Sequence, residues 1–320
     1  MAIEPLIEKW QGRVACVTIG ATAADGGTRS SAVTVGGETG LPFLADTAGM
    51  PNKPVVALEI WDIPPSDWPD EVSASYKKVW NDPFAWAQSC VADHKARLLC
   101  VRLQGSHPDA GGKTPAQQQK FIAGLLKAVS VPLIVIGCGD DQTDNLVLPA
   151  CCEAAKGEKC LIGSAVQDNY KTLVASAFAD GHSMIAESPI DINIAKQLNI
   201  LISDMGVGLD RIVIDPTIGA LGYGLEYAYS IMERARLSAL SGDKMVAMPF
   251  VCFVGQEASR AKESRVSAKE FPHWGSEKDR ACMWEALTAA SLIHAGADIL
   301  VMRHPGAAGQ IKKYIEQLSA

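Results

Sequence analysis

The sequence predicts an α/β fold, a TIM (β/α)8 barrel with an N-terminal β-hairpin extension. Short apolar runs rich in β-branched residues recur along the chain, and each is followed by a helical pattern. Strict alternation of strand and helix implies parallel pairing, and eight such units imply closure into a barrel. The predicted strands are Val55–Trp61, Leu98–Gln104, Leu133–Cys138, Cys160–Ser164, Met184–Glu187, Arg211–Asp215, Met245–Cys252 and Ile299–Arg303.

The predicted helices begin at residues that commonly cap helices. Thr114 is an N-cap, Pro115 takes the first helical position, and Gln117 completes a capping box. Asp82 and Pro83 open a helix in the same way. Further helix starts are predicted at Asp144, Asp168, Asp191 and Ser276, with glycine stops at Gly157, Gly181, Gly206 and Gly296.

Residues 1–50 precede the repeating units and are assigned to the hairpin extension, which leaves residues 51–320 for the barrel. Two β-like segments, Val14–Thr18 and Ala32–Val35, are joined by the glycine-containing segment Ala21–Ser31. We expect this hairpin to cover the barrel floor.

Composition excludes several classes of protein. Of the 320 residues, 48% are hydrophobic and 20% are charged, as in a globular protein with a large core. The net charge is −7 and no Lys or Arg run occurs, which argues against nucleic-acid and membrane partners. No apolar stretch reaches the roughly 18 residues of a membrane span. The N-terminus, MAIEPLIEKWQGR, has no secretory signal, so we expect a cytoplasmic location.

The nine cysteines do not predict a metal site in this chain. None forms a C-x-x-C pair, and most lie within apolar runs, where free cysteine packs as a small hydrophobic residue. There is no H-E-x-x-H motif for zinc, no G-x-S-x-G nucleophile elbow, and no lysine at a strand end for Schiff-base chemistry. We therefore expect neither a metal centre nor a recognisable catalytic unit.

The segment after the sixth predicted barrel strand is the most informative one. Residues 211–227 read RIVIDPTIGALGYGLEY, so Asp215 ends an apolar run and three glycines follow before the next helix. Barrels bind ligands at the carboxyl ends of their strands, and glycines there let the backbone approach a ligand closely. The order G-x-x-G-x-G differs from the dinucleotide fingerprint G-x-G-x-x-G. The alternative is a loop of tight turns that only joins strand to helix.

Other strand ends are rich in polar side chains. Glu187 and Asp215 could share a proton, as paired carboxylates do. Arg303–Pro305 precedes a helix at Gly306, and a helix N-terminus near the last barrel loops often holds phosphate. His304 is alternatively an ordinary hydrogen-bonded histidine. Two long connections, Asp62–Asn81 and Val254–Lys278, carry aromatic residues that indicate either a binding surface or self-packed loops.

Several segments together resemble the small subunit of the bacterial corrinoid iron–sulfur protein. They read IDPTIGALGYGLEY followed by SIMERAR, SPIDINIAKQLNIL at 188–201, GGTR at 26–29, VPLIVIGCGD at 131–140 and ILVMRHP at 299–305. The likeness runs nearly from end to end and keeps the strand order.

This resemblance implies a TIM barrel in a heterodimer with a larger subunit. The partner carries a [4Fe–4S] cluster and a corrinoid (cobalamin) domain, and the corrinoid lies between that domain and the mouth of this barrel. A separate methyltransferase supplies methyl from methyltetrahydrofolate, and the carrier delivers it to acetyl-CoA synthase in the reductive acetyl-CoA (Wood–Ljungdahl) pathway of carbon fixation. The chain is then a methyl-transfer subunit that is not expected to catalyse alone.

The residues agree with this division of roles. No histidine stands in a D-x-H-x-x-G corrinoid motif, so the resemblance leaves the lower face of the corrinoid to the partner. From their strand-end positions we predict Thr217, Gly222, Tyr223 and Gly224 as corrinoid-facing, with Ser188, Asp215 and His304 near the rim.

Two other functions remain open on the same fold. A pterin-binding methyltetrahydrofolate methyltransferase would hold folate with acids and asparagines at strand ends, but Ser164 stands where an asparagine is expected. The third possibility is a scaffold barrel that contacts no ligand.

Overall fold

The computed structural model describes residues 9–43 and 50–319. It confirms the predicted barrel, because eight parallel strands follow chain order around a closed cylinder and the last strand pairs with the first. An antiparallel hairpin precedes them. The hairpin strands are β1 (Cys16–Ile19) and β2 (Val33–Gly36), and the barrel strands are β3 (Val55–Trp61), β4 (Leu99–Arg102), β5 (Leu133–Ile136), β6 (Leu161–Ala165), β7 (Ser183–Glu187), β8 (Ile212–Asp215), β9 (Phe250–Cys252) and β10 (Ala297–Met302).

Helices surround the barrel, and most of their predicted caps are present. The capping box at Thr114 and the caps at Asp82, Asp191 and Ser276 all form. The helices are α1 (Asp70–Ser73), α2 (Pro83–Ala92), α3 (Pro115–Ala128), α4 (Asp141–Ala154), α5 (Tyr170–Asp180), α6 (Ile192–Asp204), α7 (Leu225–Leu240), α8 (Val254–Arg260), α9 (Lys262–Arg265), α10 (Glu277–His294) and α11 (Pro305–Leu318).

Three predicted boundaries are wrong. Helix α4 begins at Asp141 with Asp140 as its cap, because the Asp144 side chain turns back to the preceding loop instead. Helix α5 begins at Tyr170 and not at Asp168. Strand β9 is shorter than predicted, since residues 244–246 form a 3-10 turn before it.

Alternation of side chains places a charged layer at one end of the barrel interior. Successive residues of a strand point to opposite faces, and residues such as Ala57, Cys100 and Val213 belong to the apolar cluster inside the barrel. The residue two positions further along each strand points the same way. These inward positions carry Glu59, Arg102, Glu187, Asp215 and Arg303 at the carboxyl ends of the strands.

The hairpin closes the opposite end of the barrel, as predicted. Val17 and Val35 are fully or almost fully buried in the same interior cluster. Gly20 N donates to Lys159 O, just before β6, over 2.8 Å, and Ala15 N donates to Ala247 O, before β9, over 2.7 Å. The predicted domain boundary at residue 50 adjoins residues 44–49, which lie outside the described residues, and stays a prediction.

A buried ion cluster links the hairpin to the barrel wall. The guanidinium of Arg236 on α7 lies 3.4 Å from Glu38 and 3.0 Å from Asp298, and all three side chains are buried. Arg236 also donates to Gly296 O and lies over the ring of Phe250. Burial, with the adjacent Asp298, raises the pKa of Glu38 to about 9. The two acids therefore retain one proton near neutral pH, and the cluster is close to charge balance.

The two long connections differ in whether their aromatic side chains are buried. The first buries its aromatic side chains: Trp68 is 6% exposed, and its ring centroid lies 5.4 Å from that of Trp86. The second leaves Phe271 and Trp274 exposed and stacked on each other at 4.4 Å. Among the helices of the described ranges, none has the length and apolar character that crossing a membrane requires.

Candidate functional site

A cavity of about 610 Å³ opens at the carboxyl ends of the barrel strands. Its floor is the charged layer, and loops that follow the strands form its walls. The position is the one at which TIM barrels place their binding sites. Residues on the walls include Trp61, His107, Cys138, Val166, Phe253 and Gln256.

Glu59 does not itself line the cavity, but it binds two arginines that do. Its carboxylate is fully buried and accepts from Arg102 Nε at 2.8 Å and from Arg303 Nε at 2.9 Å. Trp61 Nε1 donates to the same carboxylate at 2.7 Å. Burial would raise the pKa of Glu59, but the guanidiniums of Arg303 and Arg102 outweigh burial and hold the pKa at about 2. Glu59 is therefore ionised at physiological pH and orients both arginines.

On the opposite side of the floor, Glu187 and Asp215 are register partners in β7 and β8. Asp215 is 5% exposed, and its Oδ1 accepts from Thr217 N at 2.9 Å. Burial raises the pKa of Asp215 well above its ordinary value, and the charge of Glu187 raises it further. The raised pKa favours the protonated form of Asp215, in which the carboxyl group donates a hydrogen bond at the cavity wall.

The loops after β7 and β8 are hydrogen-bonded to each other beneath this wall. Thr217, at a φ of 54°, donates from its hydroxyl to Ser188 O at 2.9 Å. Ser188 N donates to Asp215 O at 2.9 Å. Asp215 and Thr217 line the cavity, whereas Ser188 is buried behind them.

The glycine-rich turn after β8 lies outside the cavity lining. Gly222 and Gly224 have φ values of +78° and +92°, which the missing Cβ permits. The Tyr223 hydroxyl donates to Glu263 at 2.7 Å and accepts from Lys262 N at 3.1 Å. The turn is therefore tied to α9, and Tyr223 is 43% exposed.

His304 caps α11 and does not line the cavity. Its Nδ1 accepts from Gly306 N at 3.0 Å and from Ala307 N at 3.3 Å. Because the imidazole occupies these N–H groups, they are not free for the phosphate considered from the sequence. The ordinary hydrogen-bonded role of His304 is the one observed.

The wall after β5 is built around a buried acid. Asp144 accepts from Cys138 N at 2.8 Å and from Gly139 N at 3.0 Å. The carboxyl carbon approaches Gly137 so closely that a Cβ there would lie 2.1 Å from it. Glycine is therefore required at position 137 because there is no room for a side chain, and not because of the backbone conformation.

We expect Gly137→Ala to destabilise the protein by about 1–3 kcal/mol, because the added methyl displaces Asp144 and frees two peptide N–H groups. Urea unfolding followed by circular dichroism measures the change. Gly309→Ala in α11 is the matched control, since nothing lies near its Cβ position and alanine favours a helix by about 0.5–1 kcal/mol. Equal stabilities for Gly137→Ala and the wild type would contradict this role.

Sequence reasoning overlooked part of the site. Arg102 escaped notice because it lay inside the predicted strand, although its position two residues after the inward-facing Cys100 was a usable signal. Gln256 accepts from Arg102 Nη2 at 2.6 Å. It comes from α8, which was predicted as loop, and no sequence signal identified it.

The described ranges contain no group of three or more His, Cys, Asp or Glu side chains that could hold a metal ion. All nine cysteines are free thiols, and most are buried among apolar side chains.

Residues 16–309 match the family described as CO dehydrogenase/acetyl-CoA synthase delta subunit. The acetyl-CoA decarbonylase/synthase complex subunit delta of Methanocaldococcus jannaschii is 35% identical over 303 residues, covering 94% of this chain and 73% of the relative. The protein of the same name from Archaeoglobus fulgidus is 35% identical over 320 residues, covering 98% of this chain and 70% of the relative.

Solved structures of similar fold include dihydropteroate synthases. The Xanthomonas albilineans enzyme with 4-aminobenzoic acid has a TM-score of 0.55 and 15% identity, covering 84% of this chain and 94% of that chain. The Thermus thermophilus enzyme in complex with 6HMPPP has a TM-score of 0.53 and 13% identity, over 84% of this chain and 94% of that chain. At this identity the likeness concerns the fold alone.

Proposed function

Because the chain belongs to the CO dehydrogenase/acetyl-CoA synthase delta subunit family, we propose that it is the small subunit of a corrinoid iron–sulfur protein. In this proposal the chain pairs with a large subunit that holds the corrinoid and a [4Fe–4S] cluster. A methyltransferase that uses methyltetrahydrofolate and an acetyl-CoA synthase are its further partners, in the cytoplasm. The sequence resembles a bacterial protein, but the relatives named above do not support a bacterial origin, and we propose none.

The observation that carries the proposal is the open, polar barrel mouth. A volume of about 610 Å³ suits a drug-sized ligand. A corrinoid is much larger, so the mouth has room for one face of it and leaves the other face to a partner. The bound corrinoid would supply the chemistry of methyl carriage.

The residues of the mouth suit the amide-bearing edge of a corrinoid. Arg102 and Arg303 offer N–H donors, Glu187 offers an acceptor, and Asp215, whose pKa is raised by burial, offers a carboxyl group. The lining also carries Arg260 and the acids Asp67, Asp141, Asp144 and Glu257, so charges of both signs surround the mouth. Phe253 on the wall excludes water.

Of the residues predicted to face the corrinoid, Thr217 lines the cavity, and so does Asp215, which is predicted near the rim. Ser188 supports Thr217 from behind, and we propose that the turn of Gly222, Tyr223 and Gly224, predicted to face the corrinoid, contacts it from outside the cavity. His304 shapes the rim indirectly as the cap of α11.

Val166→Trp is expected to lower corrinoid retention by the co-expressed subunits several-fold, because an indole would fill the mouth. Val166 lines the cavity, and its backbone hydrogen bonds need no particular side chain. The visible absorbance of the purified pair, per mole of protein, measures retention. Leu146→Trp is the matched control, because Leu146 is 67% exposed on α4 away from the lining. Full retention by Val166→Trp would refute the capping role.

Calorimetry distinguishes the proposed function from the alternative one, a pterin-binding methyltransferase. The proposal expects no binding when methyltetrahydrofolate is titrated into the isolated chain. Micromolar binding that Val166→Trp abolishes would favour the enzyme instead.

A further inference from the structure

Hydrogen bonds and packing fix both the backbone and the side chain of Arg303. Its peptide N–H donates to Glu285 Oε1 at 2.7 Å, and its carbonyl accepts from the Tyr76 hydroxyl at 2.9 Å. Its side-chain Nε donates to Glu59, and its guanidinium lies 4.7 Å from the ring centroid of Trp68. These contacts present one buried cation to the cavity in a single orientation.

Glu285 differs from the other groups in this set. It lies on α10, is 1% exposed and does not line the cavity. Its carboxylate accepts from the peptide N–H groups of Arg303 and His304, the latter at 3.0 and 3.1 Å. No side-chain cation in the described part of the chain forms an ion pair with it. Two peptide dipoles are thus its principal hydrogen-bonding support, and they fix the start of the β10–α11 loop.

We propose that Glu285 is a positioning residue that fixes Arg303 in the barrel mouth while it is ionised and loosens Arg303 when it is protonated. The inference deepens the proposed function, since Arg303 lines the cavity proposed to cover the corrinoid. Protonation removes the negative charge and leaves an O–H in a shell of N–H donors, so the hydrogen bonds to the loop weaken.

The surroundings make Glu285 the group that changes its charge near neutral pH. Burial raises the pKa of Glu285 to about 7, although the N–H groups of His304 and Arg303 oppose the shift. The neighbours keep their charge state there. Glu59 has a pKa of about 2, burial lowers the pKa of His304, with Lys278 adding to it, and burial raises the pKa values of Tyr76 and Cys282. From α8, Gly255 packs on Arg303 without a titratable group.

The test follows the Nε–H signal of Arg303 by NMR in the full chain labelled with ¹⁵N-arginine. Arg303→Lys identifies the signal by its loss. In the wild type we expect a sharp signal at about pH 8 that shifts or broadens towards about pH 6, with a midpoint near the Glu285 pKa of about 7. Glu285→Gln is expected to hold the low-pH form throughout. Glu316→Gln, an exposed change on α11, should keep the wild-type profile.

A wild-type Arg303 signal that does not change between about pH 6 and about pH 8 would overturn the proposal. An Arg303 signal that titrates in Glu285→Gln as it does in the wild type would also overturn the proposal. If that variant fails to fold, the wild-type profile alone still decides. No corrinoid is present in the sample, so failure of the corrinoid proposal and failure of this one are distinguishable.

Discussion

Replacement of Arg236 by methionine is expected to destabilise the protein by about 3–5 kcal/mol, because it leaves Glu38 and Asp298 buried without their cation. The methylene stem can be replaced, but the charge and the hydrogen bond to Gly296 O cannot. The loss should detach the hairpin first, since Glu38 follows β2 and Asp298 lies in β10. Urea unfolding followed by circular dichroism at pH 7 measures the change.

Arg234→Met on the same helix is the matched control. Arg234 is exposed, so its replacement is expected to stay within about 0.5 kcal/mol of the wild type. A loss below about 1 kcal/mol for Arg236→Met would show that the buried cluster contributes little to stability.

Glu59→Gln, in the barrel mouth, is expected to destabilise the protein about as much as Arg236→Met does. The amide removes the charge that Arg102 and Arg303 share, and its NH₂ group faces their N–H donors. We expect a loss of about 3–5 kcal/mol at pH 7 and a matching loss of corrinoid retention in the assembled pair.

The pH dependence of this effect has a definite sign. The folded-state pKa of Glu59 is about 2, below its ordinary value of 4.5, so its contribution is present above pH 4.5 and is lost as pH falls towards 2. The stability difference between wild type and Glu59→Gln should therefore shrink at about pH 3. Urea midpoints at both pH values test this, with the exposed Glu226→Gln as control. A difference that persists unchanged at low pH would reject the assignment.

Local sequence patterns were sufficient to predict the architecture. The apolar runs at Val55–Trp61 and Leu133–Cys138 identified strands buried on both faces, and Thr114 with Gln117 identified a helix start. Such signals lie within a few residues of one another, because period and capping are properties of neighbouring peptide units. The order of the barrel then followed from alternation alone.

The chemistry of the mouth depends on contacts that no local pattern contains. Glu59 and Arg303 are 244 positions apart, and they meet because β3 and β10 close the barrel. The raised pKa of Asp215 arises from burial beside Glu187, and the occupied amides of α11 arise from the rotamer of His304. Charge state and hydrogen bonding depend on the full three-dimensional surroundings of a group, whereas strand and helix periods depend mainly on its neighbours along the chain.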